Sequence, residues 1–139
     1  LCQSGLLDGA LLHNASQKFI CRNVHLRIET DKTLLTRGAR KGSVIKIPIA
    51  HGEGNYYASD DVIKRFNDDD QVLFRYCDAD GNVTNEANPN GAFENIAGVC
   101  NSGRNVFGMM PHPERAADPE LGNTDARILF ESILAEVIV

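Results

Sequence analysis

Pro111-His112-Pro113-Glu114 follows directly on the apolar run Val106-Phe107-Gly108-Met109-Met110. A strand that ends by delivering a histidine, and two residues later a carboxylate, onto a Pro-stiffened loop can present a general base with its own orienting group. Proline fixes φ and removes a backbone donor, so Pro111 and Pro113 both aim the histidine and stop the strand. If the segment stays extended, i+2 alternation puts Glu114 on the same side as His112, within reach of one ring nitrogen. The same residues also suit a plain Pro-rich strand exit with a solvated histidine, and spacing alone does not choose between the two. The nucleophile for such a base has to come from elsewhere.

Ala50-His51-Gly52-Glu53-Gly54 is the other candidate run. Two glycines at a strand end permit close backbone approach to a ligand, and a histidine and a carboxylate lie with them, but the bare pattern specifies no reaction. Asp78-Ala79-Asp80-Gly81-Asn82 opens like a calcium loop, yet Val83 stands where glycine is required and Pro89 where glutamate is required, so it reads as a turn. His13, His25, His51 and His112 share no helix face or knuckle spacing with one another or with the cysteines, so no metal site is expected. Arg37, Arg40 and Lys41 read as exposed charges on a Gly-flanked turn.

The elements that must position these residues are set by modest bulk properties. A chain of 139 residues, 42% of them hydrophobic, suffices for one core. The net charge of -5 argues against a nucleic-acid surface, and no apolar stretch is long enough to cross a bilayer. Cys2, Cys21, Cys77 and Cys100 have no finger or CxxC spacing and no signal peptide is legible, which fits reduced structural thiols in a cytoplasmic protein. Leu1 to Leu7 reads as the last turn of a helix stopped at Gly5, the opening of a truncated chain.

Alternation predicts a strand over Phe19 to Glu29, with Ile20, Val24, Leu26 and Ile28 on one face, and another over Ser43 to Ile49 after the Gly38 to Gly42 turn. Asp60 is the expected N-cap of a short helix ending at the acidic run Asp68 to Asp70. Gln71 to Cys77 is a strand, Asp80-Gly81 a hairpin signal, and Asn88-Pro89-Asn90-Gly91 a turn. Ile96 to Cys100 and Asn105 to Met110 form a hairpin leading into the His112 loop. From about Thr124 a final helix is expected to dock through Ala126, Leu129, Phe130, Ile133, Leu134 and Val137.

Taken together, Phe19-Ile20-Cys21-Arg22, Ile47-Pro48-Ile49-Ala50-His51-Gly52-Glu53-Gly54, Phe74-Arg75-Tyr76-Cys77, Glu86-Ala87-Asn88-Pro89-Asn90-Gly91, Asn95-Ile96-Ala97-Gly98 and Gly108-Met109-Met110-Pro111-His112-Pro113-Glu114-Arg115 resemble the glutaminase subunit of phosphoribosylformylglycinamidine synthase. That family is a branch of the class I, triad-type glutamine amidotransferases. The resemblance implies an α/β, flavodoxin-like three-layer sandwich lacking its N-terminal strands and helices, with residues 1–139 the C-terminal part of a single domain. It also implies that His112 and Glu114 are the base and orienter of a Cys-His-Glu triad, and that His51, Gly52, Glu53 and Gly54 lie on a loop near the glutamine.

The family's Gly-x-Cys-Asn-Gly-Phe-Gln elbow does not occur in this sequence, and Cys2, in the context Leu1-Cys2-Gln3, is not expected to replace it. The chain alone is therefore expected to be inactive. The partners implied are a synthetase subunit, which uses ATP and Mg²⁺ to turn formylglycinamide ribonucleotide into the amidine in purine biosynthesis, and its small accessory subunit. No cofactor is implied for this chain. The alternative is a non-catalytic synthetase-binding module on the same fold.

Overall fold

A computed structural model describes the backbone of residues 1–137 and the side chains of residues 1–135. The elements in chain order are β1 (Ala10–Leu12), β2 (Ile20–Ile28), β3 (Val44–His51), β4 (Asn55–Tyr57), α1 (Asp60–Asp68), β5 (Val72–Cys77), β6 (Ile96–Cys100), β7 (Phe107–Met109) and α2 (Arg127–Val137).

Five strands form one sheet in the order β3-β2-β5-β6-β7, and β1 pairs with β4 as a separate ribbon. Every strand pairing among the described residues of this α/β chain is antiparallel. The alternation expected of β2 is realised: Val24, Leu26 and Ile28 are buried and Ile20 half-buried. Opposite them Ile45, Ile47 and Ile49 of β3 face the same core, joined by Leu73, Phe74 and Tyr76 of β5 and by Phe66 of α1. Cys100 lies in this core and Cys77 is buried at the end of β5, where burial pushes its thiol up to about 11.

The sheet curls until its last segment meets its first. The Met110 amide donates to the Ala97 carbonyl at 3.1 Å, and two residues on the His112 amide donates to the Pro48 carbonyl of β3 at 2.9 Å. Pro48 is tolerable in β3 because β3 is the edge strand and this carbonyl points outward from β2, so the missing N–H costs no ladder bond. Two residues earlier the same edge is covered at Lys46. The Lys46 amide donates to Asp125 Oδ2 at 2.9 Å, and Asn123 Nδ2 donates to the Lys46 carbonyl at 2.7 Å.

Four local expectations are corrected. The N-cap of α1 is Ser59, with Asp60 the first helical residue. Asp80-Gly81 belongs to a turn in the long β5–β6 connection, closed by Asp78, whose Oδ1 accepts the Asp80 and Asn82 amides. The final helix begins at Arg127, three residues beyond Thr124. It docks through Leu129 and Ser132, with buried Ala126 just before it, while Phe130 and Leu134 are exposed and Ile133 is half-buried; the Val137 side chain lies outside the described residues.

A hydrogen-bonded clasp decides the orientation of α2. Ser132 Oγ accepts from the Gly38 amide at 3.0 Å and donates to the Ile128 carbonyl at 2.7 Å, and the Arg37 guanidinium donates twice to the Ser132 carbonyl. A Cβ on Gly38 would lie 2.5 Å from Ser132 Oγ, so glycine is what lets this turn approach the helix. At the other end of the chain, Gly5 at φ 75 stops the first turn in Schellman geometry: its amide donates to the Cys2 carbonyl and the Leu6 amide to the Leu1 carbonyl.

Candidate active site

His112 sits where the chain leaves β7 and touches the β3 edge. Pro111 is buried and Pro113 opens a 3₁₀ turn over Pro113–Ala116. The segment therefore does not stay extended, and the turn rather than strand alternation brings Glu114 back to the ring. His112 Nδ1 lies 2.9 Å from Glu114 Oε1, with the His112 side chain 31% exposed and that of Glu114 57% exposed. Arg115 Nε stands 3.7 Å from the same carboxylate oxygen. The turn is anchored behind by the Ala116 carbonyl, which accepts the Ala126 amide at 2.8 Å, just before α2.

A carboxylate is an acceptor, so it fixes the Nδ1–H tautomer and leaves the Nε2 lone pair as the basic site. Among the described residues no hydrogen bond engages that nitrogen. This is the arrangement a general base requires, a tautomer held from behind and an open nitrogen in front.

The loop after β3 is built differently. His51 is 6% exposed and its ring faces inward. Asn14 lies opposite Nδ1 at 3.0 Å and Asn90 opposite Nε2 at 3.4 Å, with Tyr76 hydroxyl accepting from the same Asn90 amide at 3.1 Å. Burial lowers the His51 pKa from the ordinary 6.5, and the charge of nearby His112 lowers it further against an opposing backbone hydrogen bond. Gly54 is buried beneath the same ring, which a Cβ there would strike. Gly52 is half-buried, and Glu53 is exposed, 3.5 Å from His13 Nδ1. Of the four loop residues, Gly52 and Glu53 thus face outward, while His51 and Gly54 form the inner side.

Among the described residues no cysteine is bonded to His112. Cys2 Sγ lies 4.0 Å from the Asp8 carbonyl and lines an apolar hollow with Leu7, Leu11, Val99 and Met109. Asn14 was not singled out from the sequence, and Asn90 was read as a turn residue and as part of the Glu86 to Gly91 run, with no role at the site. Their partners are 37 and 39 residues away in the chain, so no local pattern marks them.

Residues 6–127 match the CobB/CobQ-like glutamine amidotransferase domain family. The chain belongs to that family. It is 53% identical over 134 residues to phosphoribosylformylglycinamidine synthase subunit PurQ of Koribacter versatilis, a match covering 96% of this chain and 58% of its relative. With the PurQ subunit of Salinibacter ruber it shares 50% identity over 139 residues, covering 100% of this chain and 59% of that one. In the solved structure of PurLQS from Thermotoga maritima, one chain superposes with a TM-score of 0.82 at 44% identity, over 99% of this chain and 57% of that chain. The α/β fold is thus that of the class I glutamine amidotransferases, and the chain spans under 60% of the length of these relatives. Among the described residues no helix is long and apolar enough to cross a membrane.

Proposed function

We propose that this chain carries the base and the substrate loop of a PurQ-type glutaminase, which hydrolyses glutamine and feeds the ammonia to a synthetase making formylglycinamidine ribonucleotide in the cytoplasm. The observation that carries this reading is the 2.9 Å contact between His112 Nδ1 and Glu114 Oε1 on a loop pinned to β3, with Nε2 left open. Likeness to PurQ subunits supports the substrate and the synthetase partner, with which a small accessory subunit would assemble.

In this reading a cysteine thiol gives its proton to His112 Nε2 and the thiolate attacks the side-chain amide carbon of glutamine. The family elbow that holds such a thiol does not occur in these 139 residues. Glu114 stabilises the imidazolium, which then protonates the amide nitrogen as the C–N bond breaks and ammonia leaves. His112 next takes a proton from water, hydroxide attacks the thioester, and the thiolate departs and is reprotonated, leaving glutamate. Gly52 and Glu53, outward on their loop, are the proposed glutamine contacts, with His51 and Gly54 supporting them from within. No step calls on a metal or organic cofactor held by this chain; ATP and Mg²⁺ serve the synthetase.

The test is His112→Asn in the complete glutaminase assembled with its synthetase, because asparagine cannot accept the thiol proton. Glutamate release should fall by about 10²- to 10⁴-fold while the synthetase is still retained in a pull-down. An unchanged rate would overturn the assignment. An unsubstituted protein that binds the synthetase but releases no glutamate would point to a silent binding module.

A further inference from the structure

Asn14 makes four hydrogen bonds to residues 51–54, the end of β3 and the loop that follows it. Its side-chain amide donates to the His51 carbonyl at 2.8 Å, and its backbone amide donates to the Gly52 carbonyl at 2.9 Å. Its Oδ1 accepts the Gly54 amide at 2.9 Å and faces His51 Nδ1 at 3.0 Å. The second Nδ2 hydrogen goes to the Lys18 carbonyl at 2.8 Å, so the orientation of the amide is determined and Oδ1 acts only as an acceptor. His51 Nδ1 must then carry the proton. The other ring nitrogen, unprotonated in a neutral ring, receives Asn90 Nδ2, whose own orientation is set by the Ala92 amide donating to Asn90 Oδ1 at 3.0 Å. Asn14 is 0% exposed and Asn90 1%. Burying two amides, an imidazole and a phenol is costly unless every group is satisfied, and the whole arrangement serves four residues of backbone beside His112.

We propose that Asn14 and Asn90 are positioning residues that hold His51 as a neutral, Nδ1-protonated strut and thereby fix the Gly52–Gly54 backbone for glutamine. This rests on the reading that the loop faces glutamine. The residues act on binding of the amide substrate, while the base acts on its cleavage.

The test uses the complete glutaminase with its synthetase, carrying Asn14→Ala or Asn90→Ala. Losing one buried hydrogen-bond partner should raise KM for glutamine about tenfold, with kcat kept within about threefold because the His112–Glu114 pair is untouched. The nitrogen NMR shifts of His51 in the unsubstituted protein should report the Nδ1–H tautomer. An unchanged KM in folded variants, a loss confined to kcat, or an Nε2–H tautomer would overturn the proposal; where the variants do not fold, the tautomer decides. His112→Asn, run in parallel, separates the two readings. If it stays active the glutaminase assignment fails, whereas if it is inactive and KM does not respond to Asn14 or Asn90, only the positioning role fails.

Discussion

Replacing Glu114 tests how much the orienting carboxylate contributes. In the structure it makes one charge-assisted bond to His112, Oε1 to Nδ1 at 2.9 Å, from a side chain that is 57% exposed. A hydrogen bond to a charged group contributes about 1.5 to 3 kcal/mol and a neutral one about 0.5 to 1.5 kcal/mol. Glu114→Gln keeps a bond to the imidazolium but removes the opposite charge of its partner, a loss of about 1 to 2 kcal/mol, with solvent screening favouring the lower figure. At 1.36 kcal/mol per tenfold, kcat should fall about 5- to 30-fold. Glu114→Ala removes the bond altogether and should cost about 10- to 150-fold. KM should stay within about twofold, since the His112 amide remains tied to the Pro48 carbonyl. Initial rates of glutamate formation by the complete glutaminase with its synthetase give both constants. A Glu114→Ala protein with unchanged kcat, or an effect carried wholly by KM, would refute the reasoning.

The docking of α2 predicts that Leu129→Ala, at a fully buried site, destabilises by about 2 to 5 kcal/mol, whereas Leu134→Ala, 55% exposed, stays within about 0.5 kcal/mol; urea midpoints compare them. Gly38→Ala and Ser132→Ala should each destabilise by about 1 to 2 kcal/mol, yet the double variant should cost at least about 1 kcal/mol less than their sum, because removing Oγ makes room for the methyl. Additivity in a urea double-mutant cycle would exclude the clasp. For His51, the folded pKa lies below the ordinary 6.5, so its contribution to stability is present above pH 6.5 and is lost as pH falls through the folded value. The stability difference between the unsubstituted protein and His51→Gln, followed by denaturation at several pH values, should therefore shrink on acidification below pH 6.5. A difference that grows or stays level would mean the ring is not buried neutral.

Where a residue's neighbours are set by local period, the sequence was legible. Val24, Leu26 and Ile28 alternate because one face of β2 lies on the core, and β3 alternates in the same way; β5 and β6 were also legible as strands, although they are buried along nearly their whole length. His112 and Glu114 were legible as a pair, although a 3₁₀ turn, and not an extended strand, closes the contact. The α2 face was legible in part: Ala126 and Leu129 are buried as expected, while Phe130 and Leu134 are not. Hydropathy favours burying Phe130 and Leu134, but Ser132 is bonded to Gly38, 94 residues away, and that clasp turns the helix. The inner side of the 51–54 loop was missed for the same reason. Asn14 and Asn90 are ordinary loop residues until tertiary structure brings them to His51, and a buried polar cluster of this kind leaves no periodic trace.

His112, held by Glu114, is the proposed base for a thiol acting on glutamine. A structure of the complete glutaminase with glutamine bound tests this most directly. It should place His112 Nε2 roughly 3 to 4 Å from a cysteine sulfur, Glu114 still on Nδ1, and the substrate against Gly52 and Glu53. A ring turned away from every thiol, or a glutamine bound remote from both loops, would contradict that role.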